Sequence, residues 1–316
     1  MRLNGSCGMS EDAMTTDQAQ RHCERVTKQS GSNFVHSFSF LSPDRREAMY
    51  AVYAFCQEVD HAVDHPKPGV DIQEKLDTWR AQVIAMYYGT PTFPVAIGLA
   101  KHAKNFDIPR EYFEELISGV EMDLTIRRYA TFTDLYQYCY RVASVVGLIS
   151  IKVFGTQSPR ANEYAVNLGI AFQLSNILRD IGVDAKRDRI YLPQEDLIRF
   201  GYPERDMFAN ANTPAFQKLM AFQARRAHKY YAKAQAALPP EDRKALLVAE
   251  IMRGVYFRIL SQIEKDPARV FQERVRVPSP LKAAIAVQTW IRIMIQQMVA
   301  STAPKTSHIG EENDAR

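Results

Sequence analysis

Apolar and polar residues repeat with helical spacing along most of this chain, and no segment shows the alternation typical of a half-buried strand. Proline and glycine interrupt the helical segments at intervals of roughly 15 to 40 residues, which leaves room for substantial helices. The pattern predicts an all-α, single-domain bundle over residues 21–302. Residues 1–20 and 303–316 are polar and lack this pattern, so we expect disordered tails there.

One predicted helix begins at Ser42-Pro43, an N-cap residue followed by proline at the first helical position. Its apolar face consists of Met49, Val52, Tyr53, Cys56, Val59 and Val63, at helical spacing. Asp60 falls on the same face, and Asp64 lies one turn beyond it. A carboxylate on an apolar face is costly unless something pairs with it, so we expect a partner for Asp60.

A second predicted helix covers about residues 161–183 and carries a line of polar or small residues within apolar surroundings. The line consists of Gly169, Gln173, Asn176, Asp180 and Asp184, at spacings of 4, 3, 4 and 4. Such a line on an apolar helix is typical of the wall of a hydrated cavity. The charge continues beyond it, in Lys186, Arg187 and Arg189.

The two aspartate pairs have the spacing of a shared cation site. Aspartates at positions i and i+4 project side by side, where their charges repel unless a cation lies between them. Mg²⁺ prefers one or two carboxylates, several waters and phosphate oxygens from a substrate. Two such pairs facing one another would hold two or three ions around a diphosphate. The alternative is that these are solvated helix faces, where such pairs are common.

A third apolar segment, residues 135–155, predicts one helix with Tyr138 on its inner face. Gly147 lies in its interior, where glycine costs about 1 kcal/mol relative to alanine. That cost indicates either close packing of a neighbouring element or space for a bulky ligand.

Composition excludes several classes of protein. The net charge of +4 is too small to indicate nucleic-acid binding, and the four cysteines lack metal-ligand spacing. Residues 281–300 are apolar but contain Lys282 and Arg292, so we favour a core-facing helix over a helix lying on a membrane surface. We therefore expect a cytoplasmic protein, with peripheral membrane contact as an open alternative.

Together these segments resemble the squalene/phytoene synthase family. The resemblance covers residues 30–290, approximately, and its motifs occur in the family's order. They are "AMYAVYAFCQEVDHAVD" (48–64), "LISGVEMDL" (116–124), "YCYRVASVVGLISIKVFG" (138–155), "QLSNILRDIGVDAKRDRIYLP" (173–193) and "RVRVPSPLK" (274–282).

The resemblance implies an isoprenoid synthase fold with a central active-site cavity and a Mg²⁺-dependent, head-to-head condensation of two prenyl diphosphates. It implies metal ligation by Asp60, Asp64, Asp180, Asp184 and Asn176, with these aspartates and Tyr138 as the catalytic residues. It implies substrate contacts from Phe34, Tyr53, Gln173, Asn176, Arg179, Arg189, Tyr191, Tyr256 and Arg274. NADPH is a further cofactor in some of these reactions, although no motif here indicates it.

This chain also departs from the family pattern. Gln57 stands where relatives carry arginine, Val183 where glutamate is frequent, and Asp188 where glycine is usual. His61 and Asn33 also differ from the usual residues. No departure removes a metal-binding aspartate, but together they leave diphosphate affinity and product outcome open.

Three functions remain open on this sequence. The favoured one is a presqualene diphosphate or squalene-type synthase that uses farnesyl diphosphate, as in bacterial hopanoid pathways. The second is a phytoene synthase of carotenoid biosynthesis that uses geranylgeranyl diphosphate. The third belongs to another class, a non-catalytic scaffold or assembly factor with the same fold, which the retention of all four aspartates disfavours. The oligomeric state is not indicated by any motif.

Overall fold

The computed structural model describes residues 14–30, 35, 37–64 and 69–302, most of them in helices. The α-helices are α1 (Thr16–Gln29), α2 (Pro43–Asp64), α3 (Ile72–Tyr88), α4 (Pro94–Asn105), α5 (Arg110–Thr125), α6 (Phe132–Cys139), α7 (Val145–Phe154), α8 (Arg160–Ala185), α9 (Gln194–Phe200), α10 (Glu204–Phe208), α11 (Pro214–Ala237), α12 (Leu247–Lys265) and α13 (Ser279–Thr302). Short 3₁₀ helices occur at Phe38–Phe40 and Pro267–Phe271. Among the described residues β pairing is limited to one isolated bridge, between Arg128 and Ile190. The all-α prediction is confirmed.

The N-terminal boundary differs from the prediction. Helix α1 begins at Thr16, where the Thr15 hydroxyl accepts from the backbone of Gln18 and the Gln18 side chain accepts from the backbone of Thr15. This reciprocal capping satisfies two amide groups that a helix start otherwise leaves unpaired. The expectation of disorder through residue 20 is therefore wrong for residues 16–20. Residues 1–13 and 303–316 lie outside the described part of the chain.

Helix α8 lies at the centre of the bundle and packs against α7, α11 and α12. Apolar side chains are buried on all sides of it, as a helix enclosed by others requires. Its bounds, Arg160–Ala185, extend the predicted helix by one residue at the start and two at the end. Helix α2 begins at Pro43, as the sequence predicts.

The segment predicted as one helix from residue 135 to 155 contains an interruption. A π-helical stretch, Tyr140–Ser144, separates α6 from α7. The stretch packs closely against α8, because a Cβ atom added to Gly169 would lie only 2.5 Å from the Cα atom of Ser144. Gly147 is a second close contact, since a Cβ atom there would lie 2.9 Å from the carbonyl oxygen of Ala165. Close packing therefore accounts for both glycines.

Helix α13 is core-facing on one side only. Ala286 and Ile293 are buried in a small cluster with Leu247 and Ile251 of α12. On the opposite side large apolar residues are exposed, namely Val287, Trp290, Ile291 and Ile295. The prediction of a core-facing helix therefore missed this second face, because both faces are apolar. No helix in the described part of the chain has the length and hydropathy needed to cross a membrane.

Candidate active site

A cavity of about 950 Å³ lies inside the bundle, bounded mainly by α2, α5, α7, α8 and α12. Apolar and small side chains from the earlier turns of α2 and α8 line part of it, among them Met49, Val52, Ala165, Leu168 and Phe172. The last turns of the same two helices contribute four aspartates, Asp60, Asp64, Asp180 and Asp184. The cavity therefore combines an apolar wall with an acidic end, which suits a ligand with a long hydrocarbon tail and a metal-bound anionic head.

Burial and neighbouring carboxylates raise the pKa of two of the aspartates. Asp60 is reached by water from the cavity, yet protein surrounds it, and this enclosure together with Asp64 and Asp123 raises its pKa to about 7. Burial, Asp180 and Asp123 raise the pKa of Asp184 to about 7 as well. Acidic groups this close repel one another, so a divalent cation between them would relieve the cost.

The other two aspartates are paired with arginines. Asp64 accepts from Arg189 Nη1 at 2.8 Å and from Arg187 Nη1 at 3.1 Å. Asp180 accepts from Arg179 Nε at 2.9 Å and from Arg274 Nε at 3.1 Å. Although burial opposes the charged form, the two guanidinium groups hold the pKa of Asp180 below its usual value. These arginines are placed to exchange a carboxylate for a diphosphate oxygen.

Asp123 connects the two sides of the acidic end, and sequence reasoning missed it. It accepts from the hydroxyl of Tyr191 at 2.8 Å and from the hydroxyl of Tyr138 at 3.1 Å. The third neighbour of this carboxylate is the guanidinium group of Arg189, whose Nη1 atom lies 4.0 Å from Asp123 Oδ2. Asp123 is buried on α5 within the "LISGVEMDL" segment. The available signal was helical spacing, because Asp123 lies three residues after Val120 and seven after Leu116 and so falls on their apolar face.

The cavity brings together nearly all residues that the resemblance implicates. Tyr53, Tyr138, Gln173, Asn176, Arg179, Arg189, Tyr191, Tyr256 and Arg274 all line it, with the four aspartates. Phe34 and the neighbouring departure Asn33 lie outside the described residues. The roles of all these residues in binding and catalysis stay predictions, because position in the cavity alone does not assign a role.

Asn176 provides the test of whether these residues fit a metal ion. Its Nδ2 atom donates to Gln173 Oε1 at 3.2 Å, while its Oδ1 atom is buried without a hydrogen-bond partner in the described part of the chain. This oxygen lies one turn before Asp180 on α8, and an amide oxygen without a partner is a suitable ligand for a hard cation.

Protein side chains alone do not complete such a site. Within the described ranges, no group of three or more His, Cys, Asp or Glu side chains is placed to hold a metal ion. Mg²⁺ needs no such cage, because water and substrate phosphate oxygens supply most of its ligands. The aspartates and Asn176 therefore fit ions that arrive with a diphosphate.

Of the described residues that depart from the family pattern, Gln57 lines the cavity and the others lie outside it. Val183 is exposed on α8. His61 is exposed one residue after Asp60. Asp188 lies in the loop after α8, where its backbone has a φ of +57°.

Stabilisation by Mg²⁺ is expected to grow with pH. A carboxyl group whose pKa rises on folding destabilises the folded state once pH exceeds its unfolded pKa, and the cost increases until pH passes the folded value. For Asp60 and Asp184 that window runs from about pH 4 to about pH 7. A bound cation removes this cost by favouring the ionised form.

Differential scanning fluorimetry with Mg²⁺ and inorganic pyrophosphate checks this expectation. The increase in melting temperature should be larger at about pH 8 than at about pH 5.5. Pyrophosphate without Mg²⁺ at each pH is the control. Equal increases at both pH values would contradict a site built on these two carboxyl groups.

Comparison with known proteins agrees with this geometry. The family model for squalene/phytoene synthase matches residues 27–280. Phytoene synthase from Arthrospira platensis is 36% identical over 295 residues, covering 88% of this chain and 94% of the relative. The 15-cis-phytoene synthase of Synechocystis sp. is 34% identical over 293 residues, covering 89% and 87%.

Solved structures give the same fold. Squalene synthase HpnC from Alicyclobacillus acidocaldarius has a TM-score of 0.71 at 27% identity, covering 79% of this chain and 94% of that one. A dehydrosqualene synthase in complex with a ligand has a TM-score of 0.79 at 25% identity, covering 89% and 98%. The family match spans most of the chain, including both aspartate pairs and helices α2, α5, α7, α8 and α12, which form most of the cavity wall. The chain belongs to the squalene/phytoene synthase family and is a prenyltransferase.

Proposed function

We propose that this protein condenses two molecules of geranylgeranyl diphosphate head to head and forms phytoene. The observation that carries the proposal is the set of phytoene synthases at 34–36% identity over 83–89% of the chain. The sequence resemblance favoured farnesyl diphosphate, and these relatives favour the geranylgeranyl alternative instead. Squalene-type synthases among the structural neighbours support head-to-head condensation without fixing the chain length.

The first chemical step breaks the bond between the allylic carbon of one substrate and its diphosphate oxygen. Two or three Mg²⁺ ions, held by Asp60, Asp64, Asp180, Asp184 and Asn176, would neutralise the departing diphosphate. Arg179, Arg187, Arg189 and Arg274 lie at the same end of the cavity and supply further positive charge to it.

The allylic cation then alkylates the double bond of the second substrate, and loss of a proton closes a cyclopropane ring that still carries the second diphosphate. Departure of that diphosphate, rearrangement of the carbon skeleton and loss of a second proton give the C40 hydrocarbon. Burial, together with the negative charge of Asp123, raises the pKa of Tyr138 well above its usual value. Tyr138 therefore remains a neutral hydroxyl group that donates a hydrogen bond next to the diphosphate. The apolar cavity wall excludes water, which would otherwise capture the cation.

Product identification tests the proposal. The purified protein is incubated with Mg²⁺ and either geranylgeranyl or farnesyl diphosphate, with and without NADPH, and the products are analysed by mass spectrometry. We expect a C40 hydrocarbon from geranylgeranyl diphosphate that does not require NADPH. A C30 product from farnesyl diphosphate alone would restore the squalene-type alternative. A folded protein that forms neither product would support the scaffold function.

The exposed apolar face of α13, formed by Val287, Trp290, Ile291 and Ile295, supports a second part of the proposal, contact with an anionic membrane surface. Ser279 and Lys282, at the start of the same helix, line the cavity together with Arg276. A hydrocarbon product needs an apolar medium to enter, and the basic residues complement anionic lipid headgroups.

Vesicle binding tests this contact. Replacing both Ile291 and Ile295 with glutamate should lower binding to phosphatidylcholine–phosphatidylglycerol vesicles more than about tenfold, because two exposed apolar side chains that would enter the membrane are lost. The control is Ile198→Glu, which changes another exposed isoleucine, on α9. Unchanged binding, or a dimer in solution that only the double variant disrupts, would contradict membrane contact.

A further inference from the structure

The loop after α8 carries two arginines toward the acidic end of the cavity and an aspartate away from it. Arg187 and Arg189 both donate to Asp64, across the cavity on α2. Asp188 lies between them, and 71% of its side chain is exposed. Asp188 is therefore the residue that joins the two arginines along the backbone, and its own side chain points away from the cavity.

Asp188 is tied to a neighbouring strand-like segment by Arg128. The Nη2 atom of Arg128 donates to Asp188 Oδ1 at 2.7 Å, and its Nη1 atom donates to the carbonyl oxygen of Asp188, also at 2.7 Å. One guanidinium group thus holds both the side chain and the backbone of the same loop residue. Such a paired arrangement fixes orientation as well as distance.

Arg128 is itself held from the opposite side. Its Nε atom donates to both carboxylate oxygens of Glu204, on α10, at 2.9 Å each. The backbone adds a further connection, because the amide of Ile190 donates to the carbonyl oxygen of Arg127 at 3.0 Å. The cluster of Asp188, Arg128 and Glu204, called here the outer clamp, therefore joins the loop to two other segments of the fold.

The backbone conformation of Asp188 is a second reason to assign a role to its side chain. Its φ of +57° lies in the left-handed region, where glycine carries no steric penalty and where the family pattern has glycine. Aspartate is among the residues that tolerate this region, but at some cost. The hydrogen bond from Arg128 to the Asp188 carboxylate offsets that cost, and it is the one of the two contacts that glycine could not make.

We propose that Asp188 is a positioning residue, which acts through the outer clamp to keep Arg187 and Arg189 directed at the diphosphate. The inference rests on the proposed function, in which both arginines leave Asp64 for the substrate. Once the hydrogen bonds to Asp64 are broken, the loop loses its link to α2. The outer clamp lies outside the cavity, so it remains in place during that exchange.

The test compares Asp188→Gly and Arg128→Gln with the unmodified protein. Each variant should raise KM for the prenyl diphosphate about fivefold or more, with kcat changed less than about twofold, because the cations that bind the substrate lose their orientation. Affinity for Mg²⁺–pyrophosphate, measured by calorimetry, should fall by a similar factor. The double variant should be no worse than Arg128→Gln alone, since that substitution already removes the side-chain contact that Asp188→Gly removes.

A stabilising surface ion pair is the alternative, and the readouts separate it from positioning. It predicts a lower melting temperature with unchanged KM and pyrophosphate affinity, and that result would overturn the inference. Glu114→Gln is the matched control, because it also removes one carboxylate charge and one ion pair, with Arg110, outside the cavity. Asp188→Asn is measured in case Asp188→Gly does not fold, because asparagine also tolerates the left-handed backbone conformation but carries no charge.

Failure of the proposed function would look different. An unmodified protein that binds no Mg²⁺–pyrophosphate would refute the diphosphate site itself. An unmodified protein that binds it, with both variants equally tight, would refute only the role of Asp188.

Discussion

Asp180→Ala is expected to lower product formation by at least about 10³-fold and to abolish Mg²⁺-dependent pyrophosphate binding. Asp180 lies one turn after Asn176 and one turn before Asp184, so its removal breaks the line of oxygen ligands along α8 at its middle. It also leaves the buried guanidinium of Arg179, and the more exposed one of Arg274, without their shared carboxylate. The measurements are product formation and calorimetric titration with pyrophosphate, with and without Mg²⁺.

Two further variants make this result interpretable. Loss of a carboxylate next to the buried Arg179 lowers stability as well as activity, so Asp180→Asn, which preserves shape and hydrogen bonding to the arginines, is measured in parallel. Asp206→Asn on α10 removes an aspartate outside the cavity and should retain activity. If folded Asp180→Asn binds pyrophosphate with the same Mg²⁺ dependence as the unmodified protein, the metal assignment is wrong.

The parts of the fold that sequence predicted are those that depend on local spacing. Helical periodicity and a proline start placed α2 correctly, and periodicity alone brought α8 within two residues of its bounds. The same periodicity placed Asp60 and Asp180 on inner faces, and both line the cavity. Helix faces are determined by residues a few positions apart, and these are visible in a sequence.

The features that sequence missed depend on contacts between distant segments. The π-helical stretch at Tyr140–Ser144 packs against Gly169, which lies 25 or more residues away along the chain. The exposed apolar face of α13 was missed because both of its sides are apolar, and only packing decides which one is covered. Spacing gives the faces of a helix but not its neighbours.

Asp123 is the clearest case of such a long-range feature, since its three partners come from two other segments. Tyr138 belongs to α6, whereas Arg189 and Tyr191 follow α8. No local spacing connects these residues with Asp123 on α5. Burial raises the pKa of this carboxyl group, while Arg189 and the two hydroxyl groups oppose that rise. A buried aspartate with this set of partners fixes the orientation of two tyrosine hydroxyl groups at the acidic end of the cavity.

Asp123→Asn is therefore expected to lower kcat about 10²-fold while leaving the fold intact. The amide keeps the shape of the carboxylate, but it accepts from only one of the two tyrosine hydroxyl groups and carries no charge near Arg189. The hydroxyl of Tyr138 would then no longer be held in its donating orientation. Steady-state kinetics with the prenyl diphosphate that the unmodified protein uses measures the expected loss of kcat. Circular dichroism shows whether the fold is intact.

Tyr129 offers a matched control for this prediction. Its ring stacks against Tyr191 at 5.9 Å between centroids, yet its buried hydroxyl has no hydrogen-bond partner in the described part of the chain. Tyr129→Phe should therefore change kcat little, whereas Tyr138→Phe should lower it. Because Asp123 acts through Tyr138, adding Asp123→Asn to Tyr138→Phe should cost much less than the product of the two single effects. Fully multiplicative losses would show instead that Asp123 acts independently of this tyrosine.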